Sequence, residues 1–346
     1  MTRSICILLV MFQTLAIAQK GVKLTHNEKD KKVDVTIDGK AFTSYFYPGE
    51  DRLKKAVLFP IRTNNGTIVT RGWPFEPRAG ERIDHPHHVG MWLNYEDVNG
   101  FDYWNNSTAI KPEDRLKKYG TIRHTGISNM KSGKSRGELT VTADWIDKDG
   151  TGTLTAQETT NYIFSGKGNI RIIDRITTIK AATDIVFKDV KDGFFAIRVA
   201  RQLEHPSKTA DVFTDASGIA TAVPKLDNTG VTGSYRNSDG VEGDDCWGKR
   251  AKWCNLRGQI ENEKINVVII DHPKNVGYPT YWHSRGYGLF AANPLGQKVF
   301  SNGKETLNFS LKKGKSATFR YRTIVASEQL DDAAVNKSMA EFEQLY

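Results

Sequence analysis

The sequence predicts an all-β chain, one large antiparallel β-sandwich carrying a single C-terminal helix. Three observations predict it. Short alternating runs of β-branched and aromatic residues recur along the chain, punctuated by Gly, Asp and Asn. Helical spacing is convincing once, at Val335, Met339, Phe342 and Tyr346. No fixed-period repeat and no Pro- or Gly/Ser-rich linker divides the chain.

The elements follow in order. Residues 1–18 read as an export signal: Arg3, an apolar run from Ile5 to Ile17, then Ala16-Ile17-Ala18 before a cut at Gln19. That run is too short for a spanning helix, and no other apolar run is longer. The reading is therefore an exported protein, periplasmic or secreted, without a membrane span, whose residues 19–346 form one domain. Lys32 to Ile37 alternates, Asp38-Gly39 turns and Ala41 to Tyr47 returns, which is a hairpin. Leu139 to Ile146 pairs with Thr153 to Phe164. Asn169 to Lys180, Phe194 to Leu203, Ile265 to Ile270, Thr306 to Leu311 and Ala317 to Val325 continue the pattern. Asp227 to Asp245 reads as a long polar loop, the kind that often carries function. Ser327 is placed to cap an earlier turn, and the terminal helix is expected to dock on the sandwich or cover a sheet edge.

The net charge of +9 is spread along the chain, and its densest stretch, Lys312-Lys313-Gly314-Lys315, reads as a turn. A nucleic-acid groove needs a concentrated basic face, so nucleic acid is excluded as a partner. Cys246 and Cys254 are compatible with a disulfide or with two buried thiols. No phosphate loop, nucleophile elbow or structural-zinc spacing is present. Asp147 to Glu158 fits a calcium-loop template, but its flanks are β-patterned rather than helical, so it reads as a hairpin turn.

The chemistry concentrates in two segments. Asp84-His85-Pro86-His87-His88 holds three of the eight histidines. Imidazole moves protons near neutral pH and ligates metals. If the segment is extended, His85 and His87 share one face and His88 points to the other. A polar loop with hydrogen-bonded imidazoles is the plain alternative. Downstream, Trp92, Asn94, Asp97, Asn99 and Trp104 combine flat apolar faces with hydrogen-bonding groups, which suits a sugar; either Trp is equally at home in a β core. The second segment runs from Asp271-His272 through Trp282, His283 and Arg285 to Asn293. It repeats the inventory of the first, and Arg285 suits a carboxylate. Both segments are expected to converge on one site.

Asp84-His-Pro-His-His88 with Gly90 and Trp92, Asp97-Val-Asn-Gly100 with Trp104, Gly193-Phe194 with Arg198, Trp247-Gly248 before Trp253, and Asp271-His-Pro with Pro279, Trp282, Arg285 and Asn293-Pro294 resemble an exported bacterial family often labelled "methane oxygenase PmoA". That label misleads, because the membrane subunit of that name is built of spanning helices. The family is of uncharacterised function, and relatives in polysaccharide-digesting bacteria imply a sugar-related role.

A large sandwich with His and Trp on a concave face is also similar to the galactose-mutarotase-like sandwiches. The favoured reading is acid–base chemistry on a carbohydrate or sugar derivative, of isomerase, lyase or hydrolase type. His85, His87, His88 and His283 are the catalytic candidates. Trp92, Asn94, Asp97, Asn99, Trp104, Asp271, His272, Trp282, Arg285 and Asn293 are the binding candidates for a small molecule or oligosaccharide. The alternatives are a non-catalytic glycan-binding sandwich and a metal-dependent oxygenase, with a divalent metal on His85, His87 and either Asp84 or His272.

Overall fold

The computed structural model describes residues 20–207, 212–214, 219–222 and 227–346. The expected signal, residues 1–18, lies outside them. Two eight-stranded antiparallel sheets face each other. The first runs, in spatial order, Val22–Asn27, Lys32–Ile37, Lys40–Phe46, Val57–Leu58, Met91–Tyr95, Gly193–Arg198, Leu289–Asn293 and Tyr281–Ser284. The second runs Ser234–Asn237, Trp253–Ile260, Glu263–Asp271, Ser316–Ala326, Ile170–Ala181, Leu154–Lys167, Arg136–Ile146 and Thr121–Lys131.

Alternation explains most strands. In Lys32–Ile37 the residues alternate between half-buried and buried, and the turn uses Asp38 and Gly39 at positive φ. Two apolar runs do not alternate, because both of their faces are covered. Ile265, Val267 and Ile269 point between the sheets, while Val268 and Ile270 point outward under the C-terminal helix, Asp332–Leu345. Val335 and Phe342 of that helix pack on this outward row. The helix is capped by Asp331, whose carboxylate accepts from the Ala334 amide at 2.8 Å. Ser327 is therefore not the cap of this helix, which begins at Asp332, ahead of the first residue of the predicted spacing, Val335.

The Met91–Tyr95 strand is also buried throughout. Met91 and Leu93 join the inter-sheet core, where Phe195 stacks on Tyr321 at 4.7 Å. Trp92 points outward with Ala196, Leu289 and Ala291 and forms a separate cluster on the outer face of the first sheet. The helix thus covers the outer face of one sheet, and the histidine segment covers that of the other.

Other expectations are corrected locally. Phe194 to Leu203 is a strand only to Arg198, followed by a 3-10 turn at Arg201–Leu203. Only Ser310–Leu311 of Thr306 to Leu311 is strand. The Asp227–Asp245 loop contains the strand Ser234–Asn237 and a 3-10 turn, Gly243–Cys246. The calcium-like segment is a tight turn in which Asp149 pairs with Lys54 and Arg115. Its twelfth residue, Glu158, is buried on a strand beside Arg175. Cys246 and Cys254 are buried free thiols.

Candidate functional site

Asp84 to His88 is a turn rather than an extended edge. His85 takes a positive φ of 46°, and the His88 amide donates to the His85 carbonyl at 3.0 Å. The rings of His85 and His88 therefore stack at 4.7 Å instead of facing opposite ways. Gly90, at φ 58°, completes the tight approach; a Cβ there would meet the Leu58 carbonyl oxygen at 2.2 Å.

One buried arginine fastens this turn. The Arg71 guanidinium donates to the carbonyls of Arg82, Asp84, His85 and His88 and to the Asp84 carboxylate. Arg198, on the outward row of its strand, donates to the same Asp84 oxygen at 2.7 Å and to His88 Nδ1 at 3.2 Å. The other Asp84 oxygen lies 3.0 Å from His85 Nδ1. Burial works to raise the Asp84 pKa, but His85, Arg198 and Arg71 outweigh it and hold the carboxyl well below its usual range. The carboxylate fixes the His85 tautomer and leaves Nε2 for a ligand. His85 is 40% exposed, and its ring also stacks on Tyr287 at 5.3 Å.

His87 and His88 are buried, and burial holds both imidazoles well below their ordinary pKa, with neighbouring cations adding to it. His88 stacks over Trp92, and Trp104 meets it edge-on. The Trp92 indole donates to Asn94, whose amide donates to the Tyr103 carbonyl. Trp92, Asn94 and Trp104 thus form the foundation under the imidazoles and are themselves buried. Lys55, which sequence reasoning did not single out, donates to the His87 carbonyl at 2.7 Å. Burial lowers its pKa to about 7, against the pull of Asp102.

The register carries the face across the sheet. Trp92 pairs with Ala196, Ala196 with Ala291, and Ala291 with His283. His283 therefore shares the outward face with the histidine turn, three strand spacings away, or roughly 14 Å at about 4.8 Å each. Two alanines form the floor between them. His283 donates Nδ1 to the Lys191 carbonyl at 2.9 Å and sits 3.7 Å from Asp192. Burial, opposed by Asp192, lowers its pKa to about 4. Glu96 is pushed up to about 7 by burial, then by Asp192 and Asp102.

The hairpin turn after His283 borders a cavity of about 680 Å³. Asp84, His205, Asp244, Trp247, Arg285 and Tyr287 are among its walls. His205 Nδ1 lies 2.9 Å from Asp244, a second imidazole–carboxylate pair. Sequence reasoning missed His205, Asp244 and Trp247. The signals were there: His205-Pro206 repeats the His-Pro step of His85-Pro86, and Asp244 closes the loop already marked as long.

Several candidates lie elsewhere. Asp271 is fully buried and accepts from the His272 and Thr280 amides and from Asn275, so it orders its own loop. His272 packs edge-on against Phe342 of the C-terminal helix, on the far sheet. Trp282 points into the inter-sheet core and donates to the Ala251 carbonyl. Asp97 and Asn99 shape their own turn: Asp97 accepts from Gly100, and Asn99 bonds to Asp184 and Val186. Asn293 is buried and holds the carbonyls of Val190 and Lys191. The metal set of His85, His87 and His272 does not come together, because His272 belongs to the opposite sheet. Among the described residues no group of three or more His, Cys, Asp or Glu is arranged to hold a metal ion. No described helix is long and apolar enough to cross a membrane.

Solved structures with detectable likeness include the GH36 α-galactosidase AgaA of Geobacillus stearothermophilus (TM-score 0.39, 12% identity, 89% of this chain and 41% of that one). A putative aldose 1-epimerase of Escherichia coli K12 gives TM-score 0.34 and 9% identity over 89% of this chain and 99% of that one. A galactose mutarotase related enzyme of Lactobacillus acidophilus gives TM-score 0.30 and 9% identity over 90% and 99%. The chain spans only about four tenths of the galactosidase chains, 42% and 41%. These likenesses are too distant to transfer an activity. No curated protein matches the sequence. Residues 32–340 match the model of a family of unknown function, DUF6807, and the chain belongs to that family.

Proposed function

We propose that this chain is an enzyme that moves protons on a sugar or sugar derivative held at the outer face of the first sheet. The carrying observation is the Asp84–His85 pair, in which Asp84 lines an open polar cavity and His85 stacks on Tyr287 of its wall. Asp84 stays ionised because two buried guanidiniums grip it, and it stabilises the imidazolium formed when His85 Nε2 takes a proton. Trp247 offers a ring to sugar C–H groups, and the polar wall meets the hydroxyls. Proton removal and return, as in isomerisation or elimination, suits one carboxylate-held imidazole. Glycoside hydrolysis uses a carboxyl pair set across the bond.

The test is incubation with neutral and acidic mono- and oligosaccharides in D2O. NMR follows deuterium uptake, anomer interconversion and new olefinic signals. We expect one sugar class to turn over, and His85→Gln to slow it by roughly 100-fold or more while the sugar still binds. Binding without turnover in the unaltered protein, unchanged in His85→Gln, would instead establish a non-catalytic sugar-binding sandwich.

A further inference from the structure

The cavity walls hold an unusual surplus of hydrogen-bond donors. Arg285 is exposed at its rim, with its guanidinium 5.9 Å from the Trp247 ring and 5.7 Å from the Tyr287 ring. Among the described residues that guanidinium has no hydrogen bond and no ion pair, whereas its neighbour Arg82 is paired with Glu204. The Trp247 indole N–H, in the cavity wall, is buried without a hydrogen-bond partner. Buried polar groups are nearly always satisfied, so orphans gathered at one cavity point to a ligand that satisfies them. Guanidinium and indole N–H can only donate. Their partner must therefore present acceptors.

His205 supplies the complementary half. Asp244 holds its Nδ1, and its Nε2 is buried without a partner. A neutral imidazole held in this way accepts at Nε2, so it receives a ligand hydroxyl. The turn places these groups together: the His205 amide donates to the Gly286 carbonyl, and a Cβ on Gly286 would lie 3.2 Å from Asp244. The charge balance narrows the class. Asp84 and Asp244 already line the cavity, so a dianionic phosphate meets two carboxylates. A single carboxylate balances Arg285 and fits its planar fork.

We infer that the ligand is a sugar acid of the uronate class, its carboxylate on Arg285 and Trp247 and a hydroxyl on His205. This rests on the sugar-directed reading above and names its substrate class. Calorimetry with D-glucuronate, D-galacturonate, D-glucose, D-galactose and glucose 6-phosphate tests it. Arg285 is exposed, so Arg285→Gln is expected to fold normally, which circular dichroism checks. We expect the uronates to bind at least about tenfold more tightly than their neutral parents, and Arg285→Gln to abolish that advantage. Equal binding of neutral and acidic sugars, or an unchanged uronate affinity in Arg285→Gln, overturns the assignment and leaves the sugar site standing. Tighter binding of glucose 6-phosphate overturns the carboxylate specifically. No binding of any of these sugars by the folded protein removes this inference together with the sugar-directed reading.

Discussion

Replacing Asp84 by Asn tests the electrostatic frame of the histidine turn. The side-chain volume barely changes, so the perturbation is one charge. In the native protein Asp84 accepts two charge-assisted hydrogen bonds at 2.7 Å, from Arg71 and Arg198. Those arginines are 1% and 0% exposed, while Asp84 is 27% exposed. Breaking a buried pair by removing one partner costs about 3–5 kcal/mol, because a buried charge is left uncompensated. Partial solvent access at Asp84 argues for the lower end, and Arg71 keeps its four carbonyl partners, so we expect about 3 kcal/mol. Urea unfolding measures it, through a lower midpoint at unchanged slope. The same variant should release the His85 tautomer, which nitrogen-15 shifts of the ring report. A loss below about 1 kcal/mol, with His85 unperturbed, would refute the claim that Asp84 organises this turn.

Three further outcomes follow from buried groups. His283 is held at about 4 by burial, against an ordinary value of 6.5, so below that value the unfolded chain binds a proton the folded chain refuses. Stability should therefore fall as pH drops from about 6.5 towards 4 and be fully present above, by about 3 kcal/mol for this residue; urea midpoints across that range check it, and His283→Gln should flatten the slope. Phe342→Ala removes a fully buried ring from the helix–sheet contact and should cost about 3–5 kcal/mol, seen as a lower urea midpoint. Gly90→Ala forces a side chain onto the Leu58 carbonyl at a positive φ, so it should cost more than about 1 kcal/mol and loosen His88, visible as faster hydrogen exchange around the turn.

Strand alternation made much of the architecture legible. A strand with one face on the core states that face in its residues, as Lys32–Ile37 does. The run Ile265 to Ile270 was legible as a strand, but not that Phe342 and Val335 cover its outward row. At the site, Asp84 and His85 were legible because charge and imidazole crowd together there. Arg285 stood out as a cation among aromatic residues. Asp271-His272 offered the same inventory, but the fold turns Asp271 into its own loop and sets His272 against Phe342 on the other sheet. Composition carries no direction, and a cross-strand register decides which face a residue joins. Trp282 shows this directly: it points inward while its neighbour His283 points outward. His205 and Asp244 were missed because their pairing spans a long stretch of chain, and only the folded turn at Gly286 brings them against the cavity.

The grip of Arg71 on four carbonyls and one carboxylate has a consequence for how such a pocket can change its preferences. The scaffold presenting His85 is finished before any guest arrives, so little ordering entropy is lost when one does. Arg285 hangs from a separate hairpin and makes no hydrogen bond to that clasp, which its hairpin meets through Tyr287. Under the function proposed above, selectivity is rewritten at the rim, exchanging one class of ligand for another, while the turn that carries His85 keeps its shape.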